Sequence, residues 1–491
     1  LSGSTTEFMT GSGNFAGGGS ALARNSSGSF NNAIGYLALF NNSTGSGNNA
    51  LGHFALINNY GGSGNNALGD QALTNNSSGS YNNALGYQSL YNNTIGSDNT
   101  AFGYQSLYQN TTGIANSAIG NSALKNNITG SNNIANGNFT LLNATSTSNN
   151  IAFGPQALRG TSTGYVSGEN NFAAGNSALY SFTSGANNVA IGSSTLYSNT
   201  NGSGNTAIGR LALFFNTSGA YNAAIGDGAM YNNISGGDNT AIGRNSLFLN
   251  TTGTQNQALG LGAMQGNQTG SNNIGIGASA LFYATSSSYN IALGNQALLG
   301  SSTALSATGT NNLALGRNAL FGNTNGNDNA AIGAYALNNN TDGTGNTAIG
   351  NSALFFNQTG NNNNALGYQA GVGDNITVDQ RSILDTFANF FGYQSSRDGS
   401  VASTTVLTNI TAIGKNAKVG QSNSIILGGT GADAVNVGIG TSSPFARLSV
   451  VGQVVAAYFT GTSTATSSLG GGLNLTTGCF AINGVCLTDV T

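Results

Sequence analysis

The sequence predicts an all-β protein built as a parallel β-solenoid with coils of 17 residues. Three observations support this fold class: a glycine recurs every 17 residues, Gly makes up 76 of 491 residues, and Asn is about as frequent. A 17-residue unit is too short for the helix pairs of helical repeats, which need about 33 residues. Gly and Asn are poor helix formers but suit tight turns, because both accept positive φ angles.

The repeat glycine recurs in steps of 17 from Gly18 to Gly154, from Gly175 to Gly294, and from Gly316 to Gly367. These 21 units share the consensus N-[NT]-A-[IL]-G-x-x-[AS]-L-x-x-N-x-[ST]-G-x-x, and two looser units follow them. Stacked coils of a parallel sheet add about 4.8 Å each. The 23 units therefore predict a rod on the order of 110 Å long.

Each unit is expected to contain two short strands, N-[NT]-A-[IL]-G and [AS]-L-x. Neighbouring residues of a strand point to opposite faces, so Ala84 is expected inside the coil and Leu85 outside. The same rule places Ser89 opposite Leu90, and Ala72 opposite Leu73, in the second strand. The outer residues of the first strand would form an apolar stripe that an oligomer covers. The predicted stripe consists of Ile34, Leu51, Leu68, Leu85, Phe102 and Ile119.

The asparagine four residues before the repeat glycine is present in all 21 regular units. Stacked Asn side chains can hydrogen-bond to the coils above and below. The sequence therefore predicts a structural ladder that includes Asn31, Asn48, Asn65, Asn82, Asn99 and Asn116. The predicted turn glycines are Gly35, Gly52, Gly69, Gly86, Gly103 and Gly120.

Domain organisation follows the phase of the repeat. We expect regular coils over 1–371, with longer inserts near 1–13, 158–170 and 298–311; an irregular insertion at 372–400; degenerate coils at 401–440; and a stalk-like or neck-like β segment with a Cys hairpin at 441–491. The insertion is either a binding element or a loop that braces the solenoid. Because the chain begins inside a repeat and without Met, we expect it to be a piece of a longer protein.

Charge is scarce, and this argues against several function classes. Lys and Arg total 11 and Asp and Glu total 14, with a single His. A basic nucleic-acid interface would need clustered Lys and Arg, and acid–base catalysis would need His or paired carboxylates. We therefore expect no enzyme activity, no cofactor, no metal site and no nucleic-acid partner. His53 reads as a variable surface position.

The two cysteines lie on either side of an Asn483-Gly484 turn signal. A two-residue turn would pair Ala481 with Cys486 and leave the cysteines out of register. A four-residue loop would instead set Cys479 opposite Cys486. In an oxidising, extracellular setting a disulfide between them is expected, and two free thiols are the alternative.

Two further features leave alternatives open. N-x-[ST] triplets such as those at Asn110 and Asn250 follow from the consensus, and a suitable host would be able to glycosylate them. Tyr87, Tyr104 and Tyr368 follow repeat glycines and precede glutamines. These tyrosines either form a sugar-contacting surface or pack between coils.

Units such as Asn205-Thr206-Ala207-Ile208-Gly209, followed by x-x-[AS]-L, resemble the head repeats of trimeric autotransporter adhesins (YadA-like heads). The resemblance covers roughly 10–440 and implies a left-handed parallel β-roll in an intertwined homotrimeric fibre. The family's repeat is shorter, and the extra residues fit in the N-x-[ST]-G loop. The segment at 436–450, which contains NVGIGTSSP, resembles segments near the ends of phage tail-fibre and bacterial surface-fibre proteins.

Together these observations predict an extracellular structural and adhesive fibre on a cell or virion surface. Its expected partners are copies of itself, as a homotrimer, and a surface receptor or glycan; no membrane insertion is expected within this chain. The alternative is a phage tail fibre or tailspike that binds or cleaves host glycans, and cleavage would need two carboxylates about 5–9 Å apart. An ice-binding solenoid is a third hypothesis, although the repeat lacks regular Thr-x-Thr rows.

Overall fold

The computed structural model describes residues 10–161, 166–300, 309–372, 385–401, 405–439, 441–444, 446–450, 480–482 and 485–487. The chain divides into two units, Leu1–Val435 and Asn436–Thr491. Within the described ranges it consists of short strands, turns and the 3-10 helix Gly431–Asp433.

The first unit is a parallel β-solenoid in which each regular coil contributes one strand of three residues. The strands of the regular coils are β1 Phe15–Gly17, β2 Asn32–Ile34, β3 Asn49–Leu51, β4 Asn66–Leu68, β5 Asn83–Leu85, β6 Thr100–Phe102, β7 Ser117–Ile119, β8 Ile134–Asn136, β9 Ile151–Phe153, β10 Phe172–Ala174, β11 Val189–Ile191, β12 Thr206–Ile208, β13 Ala223–Ile225, β14 Thr240–Ile242, β15 Gln257–Leu259, β16 Ile274–Ile276, β17 Ile291–Leu293, β18 Leu313–Leu315, β19 Ala330–Ile332, β20 Thr347–Ile349 and β21 Asn364–Leu366. The strands that follow in this unit are β22 Thr386–Phe391, β23 Ser396–Arg397, β24 Thr408–Ile413, β25 Lys418–Val419 and β26 Ser424–Leu427.

Successive coils stack with their strands parallel and in register. Asn49 pairs with Asn66 and Leu51 with Leu68, one repeat apart. The pairing continues across both long inserts, where β9 pairs with β10 and β17 with β18. Within the described residues the result is a single 24-stranded parallel sheet. The predicted all-β parallel solenoid with 17-residue coils is confirmed.

The interior of the coil is narrow and is filled mainly by alanine and leucine. The central residue of each regular strand from β2 onward, such as Ala84, is buried. Because a strand alternates its faces, the first and third residues of each strand lie together on the outer face of the sheet. Small central residues let the opposite wall of the coil approach closely, which suits a coil of only 17 residues.

The predicted second strand is wrong for the regular coils, where [AS]-L-x forms turns. Gln88 and Leu90 both have φ near +50° (54° and 51°). The N–H of Gln88 donates to the coil before and the N–H of Leu90 to the coil after. Since strand alternation does not apply to such a backbone, Ser89 and Leu90 are both buried, and so are Ala72 and Leu73. The prediction that these pairs face opposite ways is therefore also wrong.

The repeat glycine is required by both conformation and space. Gly86 has φ of 136° and stacks directly on Gly103, and a Cβ on Gly86 would lie 2.6 Å from the Gly103 carbonyl oxygen. Side chains rarely adopt such a φ angle. The other predicted turn glycines also have positive φ, between 132° and 143°.

The last coils of the first unit differ in length from the regular coils but continue the stack. Within the predicted insertion at 372–400, residues 373–384 lie outside the described residues, while β22 pairs with β21 through Asn364 and Asn389. β24 and β26 continue the same sheet. Here the second segment of the coil does form a short strand, because β23 and β25 pair in parallel.

The second unit contains two small sheets. Strands β27 Val437–Ile439 and β28 Leu448–Val450 pair in parallel. Strands β29 Phe480–Ile482 and β30 Val485–Leu487 form an antiparallel hairpin in which Ala481 pairs with Cys486. This is the register of the two-residue turn. Cys479 lies outside the described residues, so the disulfide with Cys486 stays a prediction.

Candidate assembly surface

The outer face of the sheet carries two parallel columns of side chains, one from each outward position of the strands. The apolar column is formed by the third residue of the regular strands, except Gly17, Asn136 and Ala174, and by the residues in register with it in β22, β24 and β26. It consists of Ile34, Leu51, Leu68, Leu85, Phe102, Ile119, Phe153, Ile191, Ile208, Ile225, Ile242, Leu259, Ile276, Leu293, Leu315, Ile332, Ile349, Leu366, Phe391, Ile413 and Leu427. It includes all six residues of the predicted stripe. Leu51 keeps 47 % of its surface exposed and Phe102 keeps 39 %.

The second column, formed by the first residue of each strand, is mostly polar or small. In β2 to β5 it is a row of asparagines, in which Asn49 Nδ2 donates to Asn66 Oδ1 at 2.7 Å. Further along, Thr, Ser, Ala and Gln occupy most of the column. In the described coils no Asp, Glu, Lys or Arg occupies either column. This face is therefore uncharged along the whole described sheet.

Behind this face, the asparagines four residues before the repeat glycines form a buried row, the first asparagine ladder. Asn65 is typical: its Nδ2 donates to Asn48 Oδ1 at 3.1 Å and to the Gly79 carbonyl at 2.9 Å. Its Oδ1 accepts from the backbone N–H and from Nδ2 of Asn82. The six predicted ladder asparagines all lie in this row and are buried. The row crosses both inserts, since Asn171 bonds to Asn150 and Asn312 to Asn290.

A second asparagine ladder, not anticipated from the sequence, is formed by the Asn of N-x-[ST]-G. Asn93 Nδ2 donates to Asn76 Oδ1 at 2.7 Å and to the Gly96 carbonyl at 2.8 Å. Its fixed place in the consensus is the same signal that predicts the first ladder. The N-x-[ST] asparagines Asn110 and Asn250 belong to this ladder and are fully buried, so their side chains are inaccessible in the folded chain.

The second ladder stops before each insert, at Asn127 and at Asn267. The next coil has Ala144 or Ala284 at the ladder position, and the Oδ1 atoms of Asn127 and Asn267 are buried without a hydrogen-bond donor. In the same coils, Thr147 and Ser287 replace the glycine three residues further on. That glycine normally leaves room for the amide, because a Cβ on Gly113 would lie 2.5 Å from Asn110 Oδ1. The two replacements are therefore coupled, because an asparagine amide at position 144 or 284 would clash with the Cβ of Thr147 or Ser287.

Aromatic residues stack on one another along the solenoid axis. Tyr87 and Tyr104, for which sugar contact and packing between coils were the alternatives, stack with centroids 5.5 Å apart, and Tyr368 stacks on Tyr393. The longest stack has five rings with centroids 4.8–5.3 Å apart, from Tyr180 to Phe248. These rings pack between coils, although Tyr87, Tyr104 and Tyr368 stay partly exposed, so a sugar-contacting role for them stays an alternative.

Charged groups are few and local. His53 is exposed beside Asp70, with Nδ1 to Oδ1 at 3.4 Å. At the start of β22, Asp385 is buried and accepts from Arg397 Nη1 at 3.1 Å and from the Leu407 N–H at 2.9 Å. Burial raises the pKa of the Asp385 carboxyl, although its hydrogen bond to Leu407 and the Arg397 charge act in the opposite direction. Across the described residues, no group of three or more His, Cys, Asp or Glu is placed to hold a metal ion.

The fold and this face define a class of protein, a parallel β-solenoid repeat protein with an uncharged apolar column on its sheet. No protein-family model matches the chain, and no curated protein matches it either. In the part of the chain that the structure describes, no helix has the length and hydropathy to cross a membrane.

Proposed function

We propose that this chain is the solenoid part of an extracellular, homotrimeric structural fibre that attaches a cell or virion to another surface. The observation that supports the proposal is the apolar column, which recurs in nearly every described coil on a face without charge. Such a surface on a secreted solenoid would aggregate unless it were covered. Three parallel chains around one axis would cover the apolar column of each chain, so that no column stays exposed.

The energy available from the column is sufficient for such an assembly. Burying a whole Leu or Ile side chain is worth about 1.5–3 kcal/mol. Leu51 still has 47 % of its surface to bury, so each coil would contribute about 0.5–1.5 kcal/mol. Over the full column the sum exceeds about 10 kcal/mol, which is comparable with the roughly 4–15 kcal/mol that association costs.

Adhesion in this proposal arises from repetition rather than from one deep pocket. The coils repeat the same loops, so many weak contacts can form at once, and linked contacts raise avidity by about 10²–10⁴. The left-handed, intertwined arrangement implied by the resemblance to trimeric autotransporter adhesins belongs to the same proposal. A tail fibre would use the same assembly and differ in the surface to which it is attached.

Bead attachment tests the adhesive part of the proposal. Beads that carry the full chain, and beads that carry an unrelated β-solenoid at equal density, are washed over cultured cells, bacterial cells and immobilised polysaccharides. We expect the chain to retain beads on at least one surface. Soluble chain should displace these beads only at a concentration far above that of the chain carried on the beads. Equal retention of both bead types on every surface would contradict the adhesive function.

A further inference from the structure

The second column of the outer face is interrupted by two apolar patches. Patch 1 consists of Ile134, Ile151, Phe172 and Val189, and patch 2 consists of Ile274, Ile291 and Leu313. Elsewhere between β2 and β24 this column holds Asn, Thr, Ser, Gln or Ala. In β9, β11, β16, β17 and β18 both outward positions are apolar, whereas β8 and β10 carry Asn136 and Ala174 at the position of the apolar column.

Each patch is tied to a long insert. The insert at 158–170 falls inside patch 1, between Ile151 and Phe172, and the insert at 298–311 falls inside patch 2, between Ile291 and Leu313. The same coils interrupt the second asparagine ladder at Ala144 and Ala284. Phe15, which follows the insert expected near 1–13, is also apolar at this position, so the change in the outer column accompanies each expected long insert.

Among the residues that the structure describes, nothing within a single copy requires the patches. The column accepts asparagine without strain, as Asn49, Asn66 and Asn83 show by bonding to one another at 2.7 Å. Ile134 and Ile291 nevertheless stay 38 % and 36 % exposed. Exposed isoleucine at positions that accept asparagine points to contact with something outside the coil.

A second copy of the chain is the partner that fits this surface. The face is uncharged, so it offers no electrostatic recognition to an acidic or basic partner. Its side chains repeat at the spacing of the coils, about 4.8 Å, and another copy has the same spacing over the same length. Building on the proposed assembly, we infer that the two patches hold neighbouring parallel copies at the same height.

The spacing of the patches explains why the height would be fixed. The apolar column alone is nearly uniform, so copies sliding by one coil would still match it. The second column is not uniform, so such a slide mismatches the ends of both patches: Ile134 meets Ser117 and Val189 meets Thr206 at patch 1, and Ile274 meets Gln257 and Leu313 meets Ala330 at patch 2. Sliding by eight coils would superpose patch 1 on patch 2 but leave the remaining patches unmatched. Both patches meet their equivalents when the offset is zero.

Asparagine substitution tests the inference with a matched control. The patch variant changes all seven patch residues to Asn. The control variant changes seven other residues of the same column to Asn, namely Thr100, Ser117, Thr206, Ala223, Thr240, Ala330 and Thr347. Sedimentation equilibrium of the full chain measures association. We expect the patch variant to associate at least about 100-fold more weakly than the control variant.

The outcomes separate the inference from the proposal on which it rests. If the unmodified chain is a monomer at every concentration, the proposed assembly fails, and the inference fails with it. If the unmodified chain assembles and both variants assemble equally well, the inference alone is overturned. Should the Asn patch variant not fold by circular dichroism, the same seven residues are changed to Thr, which Thr206 and Thr240 show the column to accept.

Spin labels test the equal height directly. Ile128 and Ile234 are exposed and lie at the same position of coils six repeats apart. Each is changed to Cys in a chain whose Cys479 and Cys486 are replaced by Ser, and pulsed electron paramagnetic resonance measures the distance between copies. Three parallel copies at one height give a single distance for each label, because every pair of copies is then equivalent. More than one distance from the same label, which any stagger between the three copies would produce, would overturn the inference.

Discussion

Replacing Asn65 by alanine tests the first asparagine ladder inside a regular stretch of coils. The Asn65 side chain makes four hydrogen bonds: Nδ2 donates to Asn48 Oδ1 and to the Gly79 carbonyl, and Oδ1 accepts the backbone N–H and Nδ2 of Asn82. All of these groups are buried or part of the coil-to-coil contact. Alanine removes the four bonds and leaves the buried Asn82 N–H without an acceptor.

The expected loss follows from these bonds. A protein hydrogen bond contributes about 0.5–1.5 kcal/mol net, and an unsatisfied buried donor costs about 1–3 kcal/mol. Asn65→Ala should therefore destabilise its coils by about 3–6 kcal/mol. In a repeat protein such a loss acts first on local opening, because each coil contacts only its neighbours.

The adjacent residue provides the control. Asn66 belongs to the same coil but lies on the outer face, half-buried, and makes two side-chain bonds, to Asn49 and Asn83. Water can replace these bonds, so Asn66→Ala should cost less than about 1 kcal/mol. Hydrogen exchange measured by mass spectrometry on peptides around Asn82 should show protection reduced by about 10²–10⁴ for Asn65→Ala and by less than about tenfold for Asn66→Ala.

A similar loss of protection for both variants would refute the reasoning. It would mean that the buried ladder contributes no more than the exposed row, and that stacking of the coils depends on the backbone bonds alone. A loss confined to Asn65→Ala but spread over the whole chain would instead indicate that the solenoid unfolds as one cooperative unit.

Three further predictions address other parts of the structure. Gly86→Ala should destabilise by at least about 2 kcal/mol in urea unfolding, because the new Cβ meets the next coil at a positive φ angle. Ala144→Asn and Thr147→Gly should each destabilise alone, by about 1–3 kcal/mol, whereas the double variant should regain most of that loss. The fold raises the pKa of Asp385, so the contribution of this residue to the free energy of unfolding should fall as pH rises from the unfolded pKa through the folded pKa. Asp385→Asn should remove this pH dependence, which is measured by following hydrogen exchange of the Leu407 amide as a function of pH.

Each of these predictions has a contrary result. Wild-type stability of Gly86→Ala would show that the turn can rearrange without cost. Additive losses in the Ala144→Asn and Thr147→Gly double variant would show that the two positions are not coupled. A pH profile of the Leu407 amide that is the same with and without the Asp385 carboxyl would show that this group does not control local stability.

The periodicity made the coil and the inward and outward sides of its strand predictable. A fixed 17-residue phase is compatible with few folds. Only the small side chain of Ala84 fits the narrow interior of the coil, so Leu85 must lie on the outer face. The ladder at Asn65 and its equivalents was also predictable, since a polar residue present in every stacked repeat lies next to the same residue of the neighbouring coils.

The second segment of the coil was not predictable in the same way. Leu90 has a positive φ, which is uncommon for leucine, so neither propensity nor pattern indicates it. The conformation is supported by bonds to the coils on both sides, a cooperative effect that no single unit reveals. The second ladder was visible in the consensus, but the N-x-[ST] triplets at Asn110 and Asn250 drew attention to glycosylation instead of a buried position in a ladder.

The central claim is that copies of this chain cover the apolar column of one another. Light scattering coupled to size-exclusion chromatography measures the mass of the full chain in solution, against a single-chain mass of 49.0 kDa. The account predicts three times that mass, and predicts that Leu51→Lys and Leu85→Lys together reduce it while leaving the circular dichroism spectrum unchanged. A stable, soluble species of one chain mass, with the column intact, would contradict the claim.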